Sequence, residues 1–166
     1  MNYYMEIKTE IINNEITKKI KDYSKNKSDL TTYYNVGKLL SEAGQHYGEG
    51  IIQEYSNKLS KDLNKKYSVT TLSYMKQFYE SGIFQPLVGK LSWSHYLQLL
   101  PLKDKDKINY YIDITLKNNL SKRQLCERIK SKDYERLDDK TKKKLIEHKE
   151  TKVEDLIKNP IIIRNS

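Results

Sequence analysis

The chain of 166 residues suits one ordinary domain with a short extension. Apolar residues make up 37% of it and charged residues 32%, with a net charge of +9, against roughly 45–50% apolar and 25% charged in an average globular domain. A lone cysteine, Cys126, excludes an internal disulfide, and no Cys/His cluster has zinc-site spacing. The first residues lack an apolar h-region, and apolar runs such as Ile161-Ile162-Ile163 reach only three residues. This predicts a cytoplasmic protein without a signal peptide or membrane span. With 14 Tyr beside 2 Phe and 1 Trp, the interior must draw on Ile, Leu and Tyr rings whose hydroxyls need partners.

The elements follow in chain order. From about Met5 to Tyr23, Ile7, Ile11, Ile12, Ile16 and Ile20 recur near helical spacing and predict an amphipathic first helix. Asn26-Lys27-Ser28 reads as its break, with Ser28 capping a second helix through Leu30, Tyr33, Tyr34, Gly37 and Leu40 to about Ala43. Gly37 inside that pattern suggests a close helix contact. Gly44, Gly48 and Gly50 punctuate a turn, and Ile51, Ile52, Tyr55, Leu59 and Leu63 share a face of a third helix. Ser68 then caps a fourth, with Leu72, Met75, Phe78 and Tyr79 inward and Gly82 at its end. Pro86 and Gly89 mark a loop. A short helix opens at Ser92 and stops at Pro101, with Trp93, Leu97 and Leu100 expected inward.

A helix from about Asp104 to Leu116 buries Ile108, Tyr111, Ile112 and Thr115, and Ser121-x-x-Gln124 reads as a capping box opening the next one, whose Leu125 and Ile129 face the core. The expected fold is all-α: a compact multi-helical domain over 1–137 with two helix-turn-helix-like units, and a charged extension over 138–166. That extension holds the Lys140–Lys144 charge run, at most a short helix at Val153–Ile157, and at most a stray strand pair at its end.

Several runs carry a family resemblance. Tyr33-Tyr34-x-Val36-Gly37-Lys38, Tyr47-Gly48, Leu59-Ser60-x-Asp62-Leu63, Ser68-Val69-x-x-Leu72-x-x-Met75-x-x-Phe78-Tyr79, Leu91-Ser92-Trp93-Ser94-His95-Tyr96, Tyr110-Tyr111 and Leu120-Ser121-x-Arg123-x-Leu125 stand in this order. Together, over roughly residues 10–137, they resemble the N-terminal domain of the YhcG-like family. In that family a helical domain thought to bind DNA precedes a nuclease domain of the PD-(D/E)XK type. Val153 to Pro160 looks like the passage into that second domain, and only six residues follow it. The resemblance therefore implies a binding domain without its nuclease, whether naturally short or truncated.

Candidate sites fall into three groups. Glu147-His148-Lys149 spells Glu-x-Lys, yet such a tripeptide is expected by chance in this composition, and metal-dependent cleavage needs converging carboxylates on adjacent strands. His95, with Ser92 and Ser94 nearby, could act as a general base, but a structural helix start that bonds a backbone carbonyl is the stronger reading. His46 and His148 have no ligand-type partners, and Cys126 reads as a core edge. No catalytic residue, metal site or cofactor is expected.

Charge points to a polyanion: residues 1–100 carry +3 and residues 101–166 carry +6. An AT-rich genome also yields Lys-, Asn- and Ile-rich chains without selection for binding. From Lys117 to Lys132 there are six basic residues, Lys117, Lys122, Arg123, Arg128, Lys130 and Lys132, and one acid, Glu127. With the helix start at Ser121 they form the first candidate for phosphate contact. Thr70, Thr71, Tyr74, Lys76 and Gln77, after Ser68, form an alternative recognition helix. The expected function is non-catalytic binding of nucleic acid, DNA ahead of RNA. The alternative is a protein-interaction or dimerisation module, built on the Tyr-rich faces and the helix-one stripe. Its partner would be a second copy, a nuclease subunit or a host defence protein, and it could act as an inhibitor or regulator.

Overall fold

The computed structural model describes residues 2–20, 25–85 and 90–145, and among these residues the only regular structure is helical. The chain forms two compact units, Met1–Lys103 and Asp104–Ser166. The first contains α1 (Tyr3–Ile20), α2 (Lys25–Tyr47), α3 (Ile51–Asp62), α4 (Val69–Ser81), α5 (Trp93–Leu99) and a 3-10 turn at Leu100–Leu102. The second contains α6 (Lys105–Asn118), α7 (Lys122–Lys130) and a further helix over residues 139–145. Glu147-His148-Lys149, Val153–Ile157 and the chain end lie outside the described residues.

Helix α2 is the spine of the first unit and packs on α1, α3, α4 and α5. Its closest approach is to α4 at Gly37, where a methyl group would stand 2.0 Å from the Met75 carbonyl oxygen and 3.0 Å from Tyr79 Cβ. The core on either side of α2 joins Ile7 and Ile11 of α1, Val36, Leu40 and Ala43 of α2, Ile52, Tyr55 and Leu59 of α3, and Leu72 and Met75 of α4. Phe78, fully buried, meets Trp93 at 5.1 Å, Tyr96 at 4.8 Å and Phe84 at 5.1 Å between ring centres. These separations suit tilted and edge-on aromatic contacts. The Tyr96 hydroxyl is not orphaned by burial, since it accepts the Gln85 amide at 3.3 Å.

Short-range chemistry sets most helix ends. Ser68 accepts the Thr71 amide and Gly82 closes α4 in the left-handed region at φ +68°. Between α3 and α4, Ser56 Oγ donates to the Tyr67 carbonyl and Ser60 Oγ accepts the Tyr67 amide at 3.0 Å, so two serines one turn apart pin the connection. Tyr4 donates its hydroxyl to Asp62, tying the start of α1 to the end of α3; burial first, then Asp62, push its phenol up to about 12.

Four expectations are corrected. Asn26-Lys27-Ser28 lies within α2, because none of these residues penalises a first helical turn strongly. Helix α2 also runs past Ala43 to Tyr47, so Gly44 is helical and only Gly48–Gly50 turns, with Gly48 at φ +89°. In α5 the capped start turns His95, Tyr96 and Leu99 inward and leaves Leu97 half-buried, while Pro101 tightens the next turn into 3-10 geometry. On α1 the packing row is Ile7, Ile11, Asn14 and Lys18, and its polar end is held by Asp29, which meets Asn14 at 2.9 Å and Lys18 at 3.0 Å. Ile12 and Ile16 lie off that row, 38% and 49% exposed.

Gly37→Ala is expected to destabilise the protein by about 3 kcal/mol, the upper end of overpacking costs, because the obstacle is backbone. Gly44→Ala, whose added methyl group would meet only the flexible end of Lys76 at 3.7 Å, is expected to stabilise it by about 0.5–1 kcal/mol. Urea unfolding followed by far-ultraviolet circular dichroism checks both, and a neutral Gly37→Ala would refute the close crossing.

Candidate nucleic-acid interface

Asp104 caps α6 by accepting the Asp106 and Lys107 amides at 2.9 and 3.3 Å, and Asn119, in the left-handed region at φ +52°, ends it. The Leu120 amide returns to the Thr115 carbonyl at 3.0 Å, and Leu120 is buried with Ile108, Tyr111, Ile112, Thr115 and Leu125. A three-residue turn, 119–121, thus delivers the chain into α7.

Ser121 and Gln124 make the expected reciprocal cap. The Gln124 amide donates to Ser121 Oγ at 3.2 Å and the Ser121 amide to Gln124 Oε1 at 2.8 Å. Of the four amides a helix start leaves without intrahelical partners, this cap satisfies two. The other two belong to Lys122 and Arg123, at the positive end of the helix dipole. The side chains of Lys122 and Arg123 are exposed, Arg123 by 90%. Its contact with Glu127, 3.6 Å between two solvated groups, binds it weakly.

The remaining predicted residues divide. Lys117, Lys130 and Lys132 are exposed, and among the described residues no ion pair engages them or Lys122. Arg128 is paired with Asp133 at 3.1 Å. Cys126 is half-buried beside Leu125, as a core edge should be. On α4, Thr70, Tyr74 and Gln77 share an exposed face. Thr71 instead accepts a hydrogen bond from the Ser68 hydroxyl at 2.9 Å, and half-buried Lys76 pairs with Glu80 at 2.9 Å. That surface therefore loses two of its five expected members.

Sequence reasoning missed Arg136 and Asp133. After α7, Lys132 turns the chain through the left-handed region at φ +58°, and Asp133 receives Arg136 at 2.9 Å as well as Arg128. The same segment lies on α6: the Tyr134 amide donates to the Tyr111 hydroxyl at 3.3 Å, and Lys107 meets Glu135 at 2.8 Å.

At His95 the hydrogen bonds are those of a cap. Nδ1 accepts the Ser92 amide at 3.0 Å, while the His95 amide donates to Ser92 Oγ at 3.3 Å. Through Nδ1 the ring serves the helix start itself. Among the described residues no group of three or more His, Cys, Asp or Glu is placed to hold a metal ion, and no helix is long and apolar enough to cross a membrane.

The DUF1016 N-terminal domain matches residues 3–136. The chain belongs to this family. DUF1016 is the YhcG-like family indicated by the sequence motifs, and the matched region is its N-terminal domain, not its nuclease domain. Comparison with curated proteins and with solved structures returns no match. Within the DUF1016 domain, the matched span takes in both the α4 face and the whole of α7.

Ser121→Ala removes one half of the reciprocal cap and is expected to cost about 1 kcal/mol. The cost should be read from faster amide hydrogen exchange over α7. Unchanged exchange there would mean that the cap does not hold the helix start.

Proposed function

We propose that this DUF1016 domain is a non-catalytic nucleic-acid-binding module that grips the phosphate backbone of DNA through the start of α7. The observation that carries this reading is the pair of outward amides at Lys122 and Arg123, left over by the Ser121–Gln124 cap and borne by two exposed cationic residues. Backbone N–H groups at a helix start favour an anion, and neighbouring Lys and Arg add the attraction that governs affinity for DNA. Lys117, Lys130 and Lys132 extend the field along the same unit. The turn-linked pairs α3–α4 and α6–α7 fit a helix-turn-helix mode of docking, in which Thr70, Tyr74 and Gln77 offer side chains for sugar-phosphate or base edges.

Binding of a labelled DNA duplex, followed by fluorescence anisotropy, tests this. Two phosphate contacts already predict about a tenfold loss of affinity between about 50 and 200 mM salt. Lys122→Glu combined with Arg123→Glu is expected to remove most of the binding with the helical content unchanged. No binding by the parent protein at the lower salt would refute the proposal.

A second reading, self-association, is favoured by one observation. Met5, Ile12 and Ile16 form an exposed apolar line on α1, 48%, 38% and 49% accessible. With Thr9 their spacing alternates four, three and four residues, that of a two-helix seam. Sedimentation at about 100 μM should then show a dimer, a concentration at which even a micromolar association is saturated. Met5→Ser with Ile12→Ser and Ile16→Ser should restore the monomer, and a monomeric parent protein removes this reading.

A further inference from the structure

The turn after α7 carries an arrangement that simple chain reversal does not require. The Asp133 side chain, only 12% exposed, sits between two guanidinium groups: Oδ2 accepts Arg128 Nη1 at 3.1 Å and Oδ1 accepts Arg136 Nη2 at 2.9 Å. One arginine would neutralise the carboxylate. Two leave a surplus positive charge, and each guanidinium spends one of its five N–H donors on Asp133. The arginine side chains stay 47% and 68% exposed, so the anchor is inside and spare donors are outside. Both line a surface hollow with Tyr110, Asp133 and Leu137.

We propose that Arg128 and Arg136, held side by side by Asp133, form a binding site for one phosphodiester group of a nucleic-acid backbone. The inference rests on the nucleic-acid reading above and adds a second contact to it. From Lys122 to Arg128 the helix rises about 9 Å, at 1.5 Å per residue, so the two contacts fall on different phosphates. Guanidinium forks match phosphate oxygens geometrically. Ordering two long side chains normally opposes binding; here Asp133 imposes that order when the turn folds. Tyr110 lines the same hollow, where burial first and Asp133 second push its phenol pKa up, against Arg128 and Arg136.

Asp133 is thus a positioning residue, and its removal separates order from charge. Asp133→Ala makes the protein more positive, so a purely electrostatic surface would bind DNA more tightly. The fork predicts the reverse, a several-fold weaker Kd. Arg128→Gln with Arg136→Gln should lower the salt slope by about one, the loss of one phosphate contact. The Lys pair at the same positions should keep the slope while weakening binding at fixed salt. Circular dichroism checks that each variant is folded, and the Gln pair decides the matter should Asp133→Ala disturb the turn.

Inorganic phosphate at about 5 mM and constant ionic strength should barely displace the duplex, which holds several contacts at once. Strong displacement would reassign the fork to free phosphate. If Lys122→Glu with Arg123→Glu abolishes binding while Asp133→Ala tightens it and the Gln pair leaves the slope unchanged, the fork is refuted and the α7 reading survives. If the parent protein binds no duplex, both fall.

Discussion

Everything in the first unit depends on two helices being allowed to touch. At Gly37 the backbone of α2 comes so near the Met75 carbonyl of α4 that no side chain of any size fits between them. That approach lets Val36 and Leu40 on one strip of α2, and Tyr34 on another, reach rings and methyl groups of α4. The penalty glycine carries inside a helix, about 1 kcal/mol against alanine, is offset by the close packing it permits. Gly44, two turns on, carries the same intrinsic penalty with no such contact opposite, so the two glycines of one helix have opposite reasons to be there.

The second unit is built on a different principle. Its buried set is small, and much of its order comes from polar closures: the Asp104 cap, the left-handed Asn119, the Ser121–Gln124 exchange and the Tyr134–Tyr111 bond. Asp138 continues the pattern by accepting the Thr141 amide at 2.6 Å at the start of the 139–145 helix; hydrogen bonding from the Thr141 side chain first, and from its amide second, holds the Asp138 carboxyl below the usual range. A unit closed by surface hydrogen bonds keeps its cations on the outside, Lys117, Lys122, Lys130 and Lys132 among them.

What could be read from the sequence was what is decided locally. Ser68, Ser92 and Ser121 announced helix starts because a cap needs only residues within one turn of itself. Gly37 announced a close contact because a glycine amid helix-forming neighbours weakens its helix unless tight packing compensates. The packing face of α1 was only partly legible, since the helix offers apolar residues on two faces: Ile7 and Ile11 join the core, and Asp29 of another helix meets Asn14 and Lys18 on that same face. Leu97 and Leu99 exchanged roles for a similar reason: the reciprocal bond between Ser92 and His95 fixes the roll of α5, and periodicity cannot see it. Within the candidate interface the basic residues of α7 were visible as composition. Arg136 and Asp133 were not, because Asp133 meets Arg128 across the left-handed step at Lys132, a conformation no residue-type preference would suggest there.

The placement of Trp93 has an optical consequence. It is the only indole in the chain, and it lies in the first unit between Tyr33 and Phe78. The described aromatic residues of the second unit are the tyrosines 110, 111 and 134 alone. Tryptophan emission therefore reports on the packing around α2 and α4 in the first unit.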